Sequence, residues 1–185
     1  MNGYSFEKEY KKAIHEYTEY EVEKIRNHPL MPQEKIREEI KRMDVFRKNL
    51  ESIFDDDMYD QEIAEGKKRF SRKAFLSVLF VRLYNQYAIL QMPYRILDLL
   101  IEINEQHVIW KQRHLLIIQR MIGMKMGTGG TSGRAFLEKT IGHSYIFSDL
   151  IEMPSYMLSR QYIPEIPEDI RRKMGNFFVS AIGKS

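Results

Sequence analysis

The chain has 185 residues, of which 43% are hydrophobic and 30% are charged, a balance typical of one globular domain with its own core. It has no cysteine and a net charge of only +3, so disulfides, thiolate metal ligands and a cysteine nucleophile are excluded, and a nucleic-acid partner is not expected. The apolar runs are shorter than the roughly 18–20 residues of a membrane span, and the first residues lack the apolar segment of a signal peptide, so we expect a cytoplasmic protein without membrane contact.

The first third of the sequence predicts two charged amphipathic helices, over residues 4–27 and 33–54. Their apolar residues recur at helical spacing, and Ser5 is placed to cap the first helix. The prolines of HPLMP separate the two helices, because each proline restricts the residue before it. FDDDMYD predicts a turn or a short connecting helix. These charged helices, within residues 1–54, could also pack against another chain.

From Ser71 the sequence becomes strongly apolar and predicts the core of the protein. Ser71 is placed to cap a helix, and Pro93 lies near the start of a long helix that runs to about Ile122 and is roughly 45 Å long. Strand patterns are nearly absent, so the sequence predicts an all-α bundle, one domain over residues 1–185, with the long helix at its centre. After it we predict a loop at 127–133, then helices at 134–140, 145–160 and 167–182.

Trp110 and His114 lie one turn apart on the long helix, on a face that is otherwise mostly apolar. An imidazole there is either a hydrogen-bonded core residue or a ligand. A zinc site needs three or four ligands, and His107, two turns away, is too far to share a metal ion with His114. A single histidine among aliphatic side chains instead suits the proximal side of a haem iron. His107 as a second axial ligand is the less favoured interpretation.

The loop GTGGTSG after this helix has two interpretations. It is a flexible linker beyond the helix C-terminus, where a glycine serves as the left-handed cap. Alternatively, its backbone N–H groups and hydroxyls form a concave site for a carboxylate. It is neither a P-loop nor a dinucleotide-binding fingerprint, because the lysine of the first and the preceding strand of the second are missing.

The segment WKQRHLLIIQRMIGMKMGTGGTSG, residues 110–133, resembles the haem-binding signature of the tryptophan 2,3-dioxygenase family. That signature runs roughly W-[RK]-x-x-H, then R-M-[IL]-G, then G-T-G-G-[ST]-S-G. Three further stretches are similar to the family: EGKKRFSRKAFLSVLFVRLY, QMPYRILDLLIEINE and YIFSDLIEMPSYMLSRQYIPEIP. The resemblance covers about residues 50–168 and corresponds to the C-terminal half of the family's enzymes.

The resemblance implies roles for particular residues. His114 would be the proximal ligand of haem b iron, and Trp110 would pack beside it and tune its hydrogen bonding. Thr128 would contact the ammonium or carboxylate end of substrate tryptophan, with Gly127 and Gly129 letting the loop close over it. The implied reaction is the insertion of O2 across the indole C2–C3 bond of L-tryptophan, which gives N-formylkynurenine. Separately, Arg120 and Arg134 are candidates for binding a haem propionate, because arginine suits carboxylates.

The sequence also departs from the family pattern. Nothing in it resembles the N-terminal half, which supplies the distal side of the haem, and Lys111 replaces the usual arginine. The distal wall would then come from a partner polypeptide in a hetero-oligomer, or from another copy in a homo-oligomer. Alternatively, the chain is a non-catalytic helical relative, or a haem-dependent oxygenase that acts on another aromatic amino acid.

Overall fold

The computed structural model of the protein describes residues 3–122 and 145–175, and these residues form helices and no strands. The all-α prediction is therefore confirmed. The predicted loop 127–133 and helix 134–140 lie outside the described residues. The helices are α1 (Phe6–Arg26), α2 (Gln33–Ser52), α3 (Asp56–Ala64), α4 (Arg72–Leu83), α5 (Ala88–Ile122), α6 (Ser148–Glu152) and α7 (Glu168–Gly175), with two 3₁₀ helices at Met153–Tyr156 and Arg160–Tyr162.

Side-chain caps fix the beginnings of three helices. The hydroxyls of Ser5 and Ser71 accept hydrogen bonds from the backbone N–H groups of Lys8 and Ala74, at 3.4 and 3.3 Å. Asp55 caps α3 in the same way. These polar side chains satisfy N–H groups that the first helical turn leaves unpaired. The capping predictions for α1 and α4 are therefore confirmed, and the acidic segment forms a short helix.

The long helix predicted as the centre of the fold is α5, with 35 residues. At 1.5 Å per residue it is about 52 Å long. It begins at Ala88, so Pro93 lies inside the helix rather than at its first turn. Neither α5 nor any other helix in the described ranges combines the length and apolar character that a membrane crossing requires.

The prediction of one helix over residues 145–160 is wrong. The chain forms the short helix α6, continues as the 3₁₀ helix Met153–Tyr156, and becomes extended at Met157. Pro154 accounts for the change, because proline lacks the N–H that continues an α-helix and its ring clashes with the preceding turn. The helix predicted at 167–182 is described only as Glu168–Gly175, and residues 176–182 lie outside the described residues.

The described residues share one hydrophobic core. The charged helices within residues 1–54 and the apolar sequence that begins at Ser71 both contribute to it. Helices α1 and α2, predicted as charged and amphipathic, pack against each other and place Tyr10, Ile14 and Leu50 in this core. That the whole of residues 1–185 forms one domain stays a prediction. Other members of the core are Phe54, Tyr59, Phe75, Leu79, Leu83, Met153, Leu158, Ile166 and Met174.

Tyr10 joins α1 to the chain that follows α6. Its hydroxyl donates to the carbonyl of Tyr156 at 2.8 Å and accepts from the N–H of Leu158 at 2.9 Å. Burial raises the pKa of Tyr10, although the hydrogen bond from Leu158 acts in the opposite direction. The hydroxyl therefore stays protonated and keeps donating. Tyr10 thus connects distant parts of the sequence.

Asn104 connects α5 to the beginning of α6. It is fully buried, and its side-chain oxygen accepts from the N–H groups of Ile146 and Phe147, at 2.7 and 3.2 Å. These two donors precede the helix and have no helical acceptor, so the asparagine supplies one. Asn104 thereby fixes the middle of α5 against the core.

Replacing Asn104 with alanine is expected to destabilise the protein by about 1–2 kcal/mol, because two partly buried N–H groups lose their acceptor. The free energy of unfolding in urea is the measurement. Asn49→Ala on α2, where the side chain is exposed, is the control and should change stability by less than about 0.5 kcal/mol. Equal effects of the two substitutions would contradict the assigned role of Asn104.

Candidate functional site

Trp110 and His114 lie together on an open face of α5. Their rings are stacked, with centroids 5.4 Å apart and planes within 8° of parallel. The indole N–H lies in the plane of its own ring, so it does not point at the face of the imidazole. Trp110 is 59% exposed and His114 is also exposed. The contact therefore orients the imidazole by stacking and leaves its edge accessible from solvent.

His107 extends the stack on the other side of the indole. Its ring centroid lies 6.1 Å from that of Trp110, with planes 18° apart. Because Trp110 lies between them, the two imidazoles cannot bind the same metal ion. The Nδ1 atom of His107 is buried and has no hydrogen-bond partner among the described residues. Within residues 3–122 and 145–175, no three metal-ligating side chains converge on one point.

The surroundings of His114 are apolar and uncovered. Ile117 and Met121 follow it along the same face, and Met121 is 81% exposed. Leu115, which points to another side of the helix, is buried. Aliphatic side chains next to an accessible imidazole form a surface suited to a flat, apolar ligand. This surface is an open wall, and a second wall would be needed to enclose a ligand.

Of the other predicted site residues, only Arg120 lies among the described residues, and it does not share the face of His114. At about 100° per residue, Arg120 lies about 120° around α5 from His114, and its side chain is exposed. The other candidates, in and after the glycine-rich loop, lie outside the described residues, and they are Gly127, Thr128, Gly129 and Arg134.

A cavity of about 480 Å³ lies on the opposite side of α5, between α4, α5 and α6. Arg82 and Asp98 form an ion pair on its wall, with 2.7 Å between nitrogen and oxygen, and the guanidinium lies 5.0 Å from the ring centre of Tyr94. No local sequence pattern indicates this cavity, because its walls come from distant segments. It does not include His114, so the face with the stacked rings is a separate surface.

Lys68 is a buried cation that no sequence motif indicates. Its ammonium group donates to Glu152 at 3.1 Å and to the hydroxyl of Tyr156 at 3.0 Å, and it lies 4.9 Å from the ring centre of Phe75. Burial by itself lowers the pKa of Lys68, but the hydrogen bonds to Tyr156 and Glu152 outweigh it, so the pKa is raised. Nothing in the local pattern of GKKRFS distinguishes this lysine from Lys67, which is exposed.

Comparison with known proteins identifies what this chain is similar to. The family model described as tryptophan 2,3-dioxygenase matches residues 1–157. A tryptophan 2,3-dioxygenase of Alteromonas mediterranea is 33% identical over 172 residues, which cover 93% of this chain and 48% of that protein. A tryptophan 2,3-dioxygenase of Dictyostelium discoideum is 35% identical over 176 residues, which cover 93% of this chain and 43% of that protein. The chain thus spans about half the length of these relatives.

Proposed function

Since the chain belongs to the tryptophan 2,3-dioxygenase family, we propose that it binds haem b through His114 and forms one wall of a haem-dependent dioxygenase site. The proposed reaction is the oxidation of L-tryptophan by O2 to N-formylkynurenine. The observation that carries this proposal is the accessible imidazole of His114, stacked on Trp110 along an open apolar face of α5.

The residues on this face fit a haem. The porphyrin supplies four nitrogens, so one imidazole is sufficient from the protein on the proximal side, and the described residues around His114 offer no cluster of further ligands. The apolar macrocycle suits exposed Ile117 and Met121. Burying these side chains against a ligand would contribute about 25 cal/mol for each Å² removed from water.

In this proposal, haem supplies the oxygen chemistry and the chain supplies orientation and water exclusion. Trp110 restricts rotation of the His114 ring, because the two rings are in contact and nearly parallel. Of the two arginines proposed to bind a haem propionate, Arg120 lies among the described residues. It lies about 120° around α5 from His114, so only an extended side chain would reach a propionate. Arg134 is the second candidate for a propionate.

Substrate binding is assigned to the glycine-rich loop. Thr128 would bind the ammonium or carboxylate end of tryptophan, and Gly127 and Gly129 would let the loop close and exclude water. Because the residues that select an indole in this family lie in its other half, another aromatic amino acid is the alternative substrate.

The second wall of the site is proposed to come from a partner. The face of α5 that carries His114 is uncovered among the described residues. A separate polypeptide that supplies the distal side, in a hetero-oligomer, would cover this face. A homo-oligomer in which another copy covers the face is the alternative assembly. We place the protein in the cytoplasm, as its composition predicts.

The experiment that tests the proposed function is a titration of the purified chain with haemin, followed by reduction. We expect saturable binding with a Soret band characteristic of ligation by one histidine. Turnover is then measured as formation of N-formylkynurenine from tryptophan, by its near-ultraviolet absorbance, with phenylalanine and tyrosine as alternative substrates.

The outcomes separate the candidate functions. Saturable binding with tryptophan turnover supports the dioxygenase, and turnover of another amino acid identifies the alternative substrate. Haemin binding that does not saturate, or that lacks the spectrum of histidine ligation, would contradict haem binding by this chain alone and would favour a non-catalytic helical relative or a site completed only by the partner.

A further inference from the structure

The cavity between α4, α5 and α6 lies away from the face that carries the stacked rings. Its volume of about 480 Å³ is within the range of small-molecule sites, about 300–1,000 Å³. Helix α5 contributes Tyr94, Asp98, Ile101 and Glu105 to its wall. At about 100° per residue these four lie within about 60° of each other, and His114 lies at least about 140° from each of them. A ligand in the cavity would therefore not compete with a ligand of His114.

The greater part of the cavity wall is apolar, which determines the body of a ligand that fits it. The apolar residues of the wall are Ile101, Leu150, Ile151, Met153, Pro154 and Met157. Two of them are methionines, whose flexible side chains adapt to a ligand and whose sulfur atoms contact aromatic rings favourably. The body of the expected ligand is therefore an aromatic ring.

The charged residues of the wall carry one net negative charge. Arg82 and Asp98 neutralise each other, with 2.7 Å between nitrogen and oxygen. The Arg82 side chain is only 14% exposed, and its guanidinium also lies over the ring of Tyr94, so both contacts fix its position. Glu105 supplies the remaining negative charge. The wall thus favours a monocation over an anion, because an anion would compete with Asp98 for Arg82.

Glu105 is placed to bind a cationic group at the mouth of the cavity. The positions three and four residues away on either side of it, which are its neighbours on the helix surface, hold no lysine or arginine. Both Glu105 and Tyr145 are exposed, so an ammonium group there could pair with the carboxylate and keep part of its hydration. In the part of the chain that the structure describes, no three metal-ligating side chains converge. An organic cation is therefore the expected ligand.

We propose that this cavity binds a small aromatic amine in its protonated form. The ring lies among Ile101, Met153 and Met157, and the ammonium group lies beside Glu105 at the mouth. This inference is independent of the proposed function, because neither His114 nor the loop assigned to the substrate lines the cavity.

Three probes with similar phenyl bodies and different head groups test the proposal. Phenethylamine is a cation at neutral pH, phenethyl alcohol is neutral, and hydrocinnamate is an anion. Each is titrated into the full chain, and the shifts of backbone amide signals in NMR spectra give its affinity and its location. We expect the amine to bind at least about threefold more tightly than the alcohol, because an exposed carboxylate adds a modest attraction. Hydrocinnamate should bind most weakly, and the shifts should centre on Tyr94, Ile101 and Glu105.

Matched variants assign the preference to particular charges. Glu105→Gln removes the carboxylate, so the affinity for the amine should fall to that for the alcohol, and the affinity for the alcohol should not change. Glu102→Gln is the control, because Glu102 is also an exposed glutamate of α5 but does not line the cavity. It should change the affinity for the amine by less than about twofold, since salt screens charges over about 8–10 Å.

Asp98→Asn tests the ion pair separately. It leaves the guanidinium of Arg82 without its carboxylate partner, so the affinity for hydrocinnamate should rise at least about threefold. Circular dichroism checks that each variant keeps its helix content.

Four results would overturn the proposal. Equal affinity for the amine and the alcohol would show that Glu105 does not select a cation. Tighter binding of hydrocinnamate to the parent chain would show that Arg82 dominates the selection. Tighter binding of phenylalanine than of phenethylamine would identify a zwitterion as the ligand. Lack of saturable binding by every probe, or shifts centred elsewhere, would show that the cavity is not a ligand site. Because haem is absent from these assays, none of these results bears on haem binding.

Discussion

Haem affinity is expected to fall at least about 100-fold when His114 is replaced by glycine, because the iron loses its protein ligand. Changes to residues that only orient a metal ligand already weaken metal binding by about 10–100-fold. The measurement is the haemin titration described above, with the Soret band as the readout. Free imidazole should restore the spectrum of the glycine variant, because it can occupy the space vacated next to Trp110.

His107→Ala is the matched control for this prediction. It removes an imidazole from the same helix and from the same stack, in which its ring centroid is 6.1 Å from that of Trp110. Its haem affinity should fall by less than about tenfold, because Trp110 lies between His107 and His114, and groups that orient a metal ligand directly cost about 10–100-fold when they are changed. If His107→Ala instead removes the Soret band and His114→Gly retains it, the ligand assignment is wrong.

Replacing Asp149 with alanine is expected to destabilise the fold by about 3–4 kcal/mol. The carboxylate is fully buried and accepts hydrogen bonds from the N–H groups of Arg69 and Phe70, at 2.9 and 2.7 Å. Alanine leaves both donors without their charged acceptor. The free energy of unfolding in urea measures the effect, and the melting temperature should fall by roughly 10 °C.

Two variants test whether the effect comes from these hydrogen bonds. Asp149→Asn retains an acceptor oxygen without the charge, so its loss of stability should lie between those of the parent and the alanine variant. Asp44→Ala removes an exposed carboxylate that lies 3.6 Å from Arg47, and surface pairs of this kind contribute about 0–1 kcal/mol. A loss for Asp149→Ala no larger than for Asp44→Ala would refute the role assigned to the buried carboxylate.

Local sequence signals predicted most of the helices. Ser5 and Ser71 cap α1 and α4 as expected, since a serine that precedes an apolar periodic segment satisfies the first free N–H groups of a helix. The single helix predicted over 145–160 is wrong because it contains Pro154, whose missing N–H ends α6 early. Pro93 shows the opposite case, since α5 tolerates a proline five residues after its start.

The sequence predicted which two residues of the candidate site share a helix face, but not how their rings are oriented. His114 and Trp110 were found because an imidazole and an indole one turn apart must share a helix face, and the structure places their rings in contact. The stacked orientation was not predictable, because rotamers depend on neighbours in space. Thr128, Gly127 and Gly129 remain predictions from the resemblance to the family, and Arg134 remains a prediction from the affinity of arginine for carboxylates.

The sequence by itself determined the helical class, the capped helix starts, the long central helix and the family, because each depends on residues that are close along the chain. Only the tertiary structure decided that Asn104, Asp149 and Lys68 are buried anchors, that α1 and α2 belong to the core, and that one face of α5 is left in solvent. The physical reason is that burial and hydrogen-bond satisfaction depend on segments distant in sequence, such as Tyr10 and Leu158. No periodicity within one segment specifies which distant backbone groups its polar side chains will satisfy.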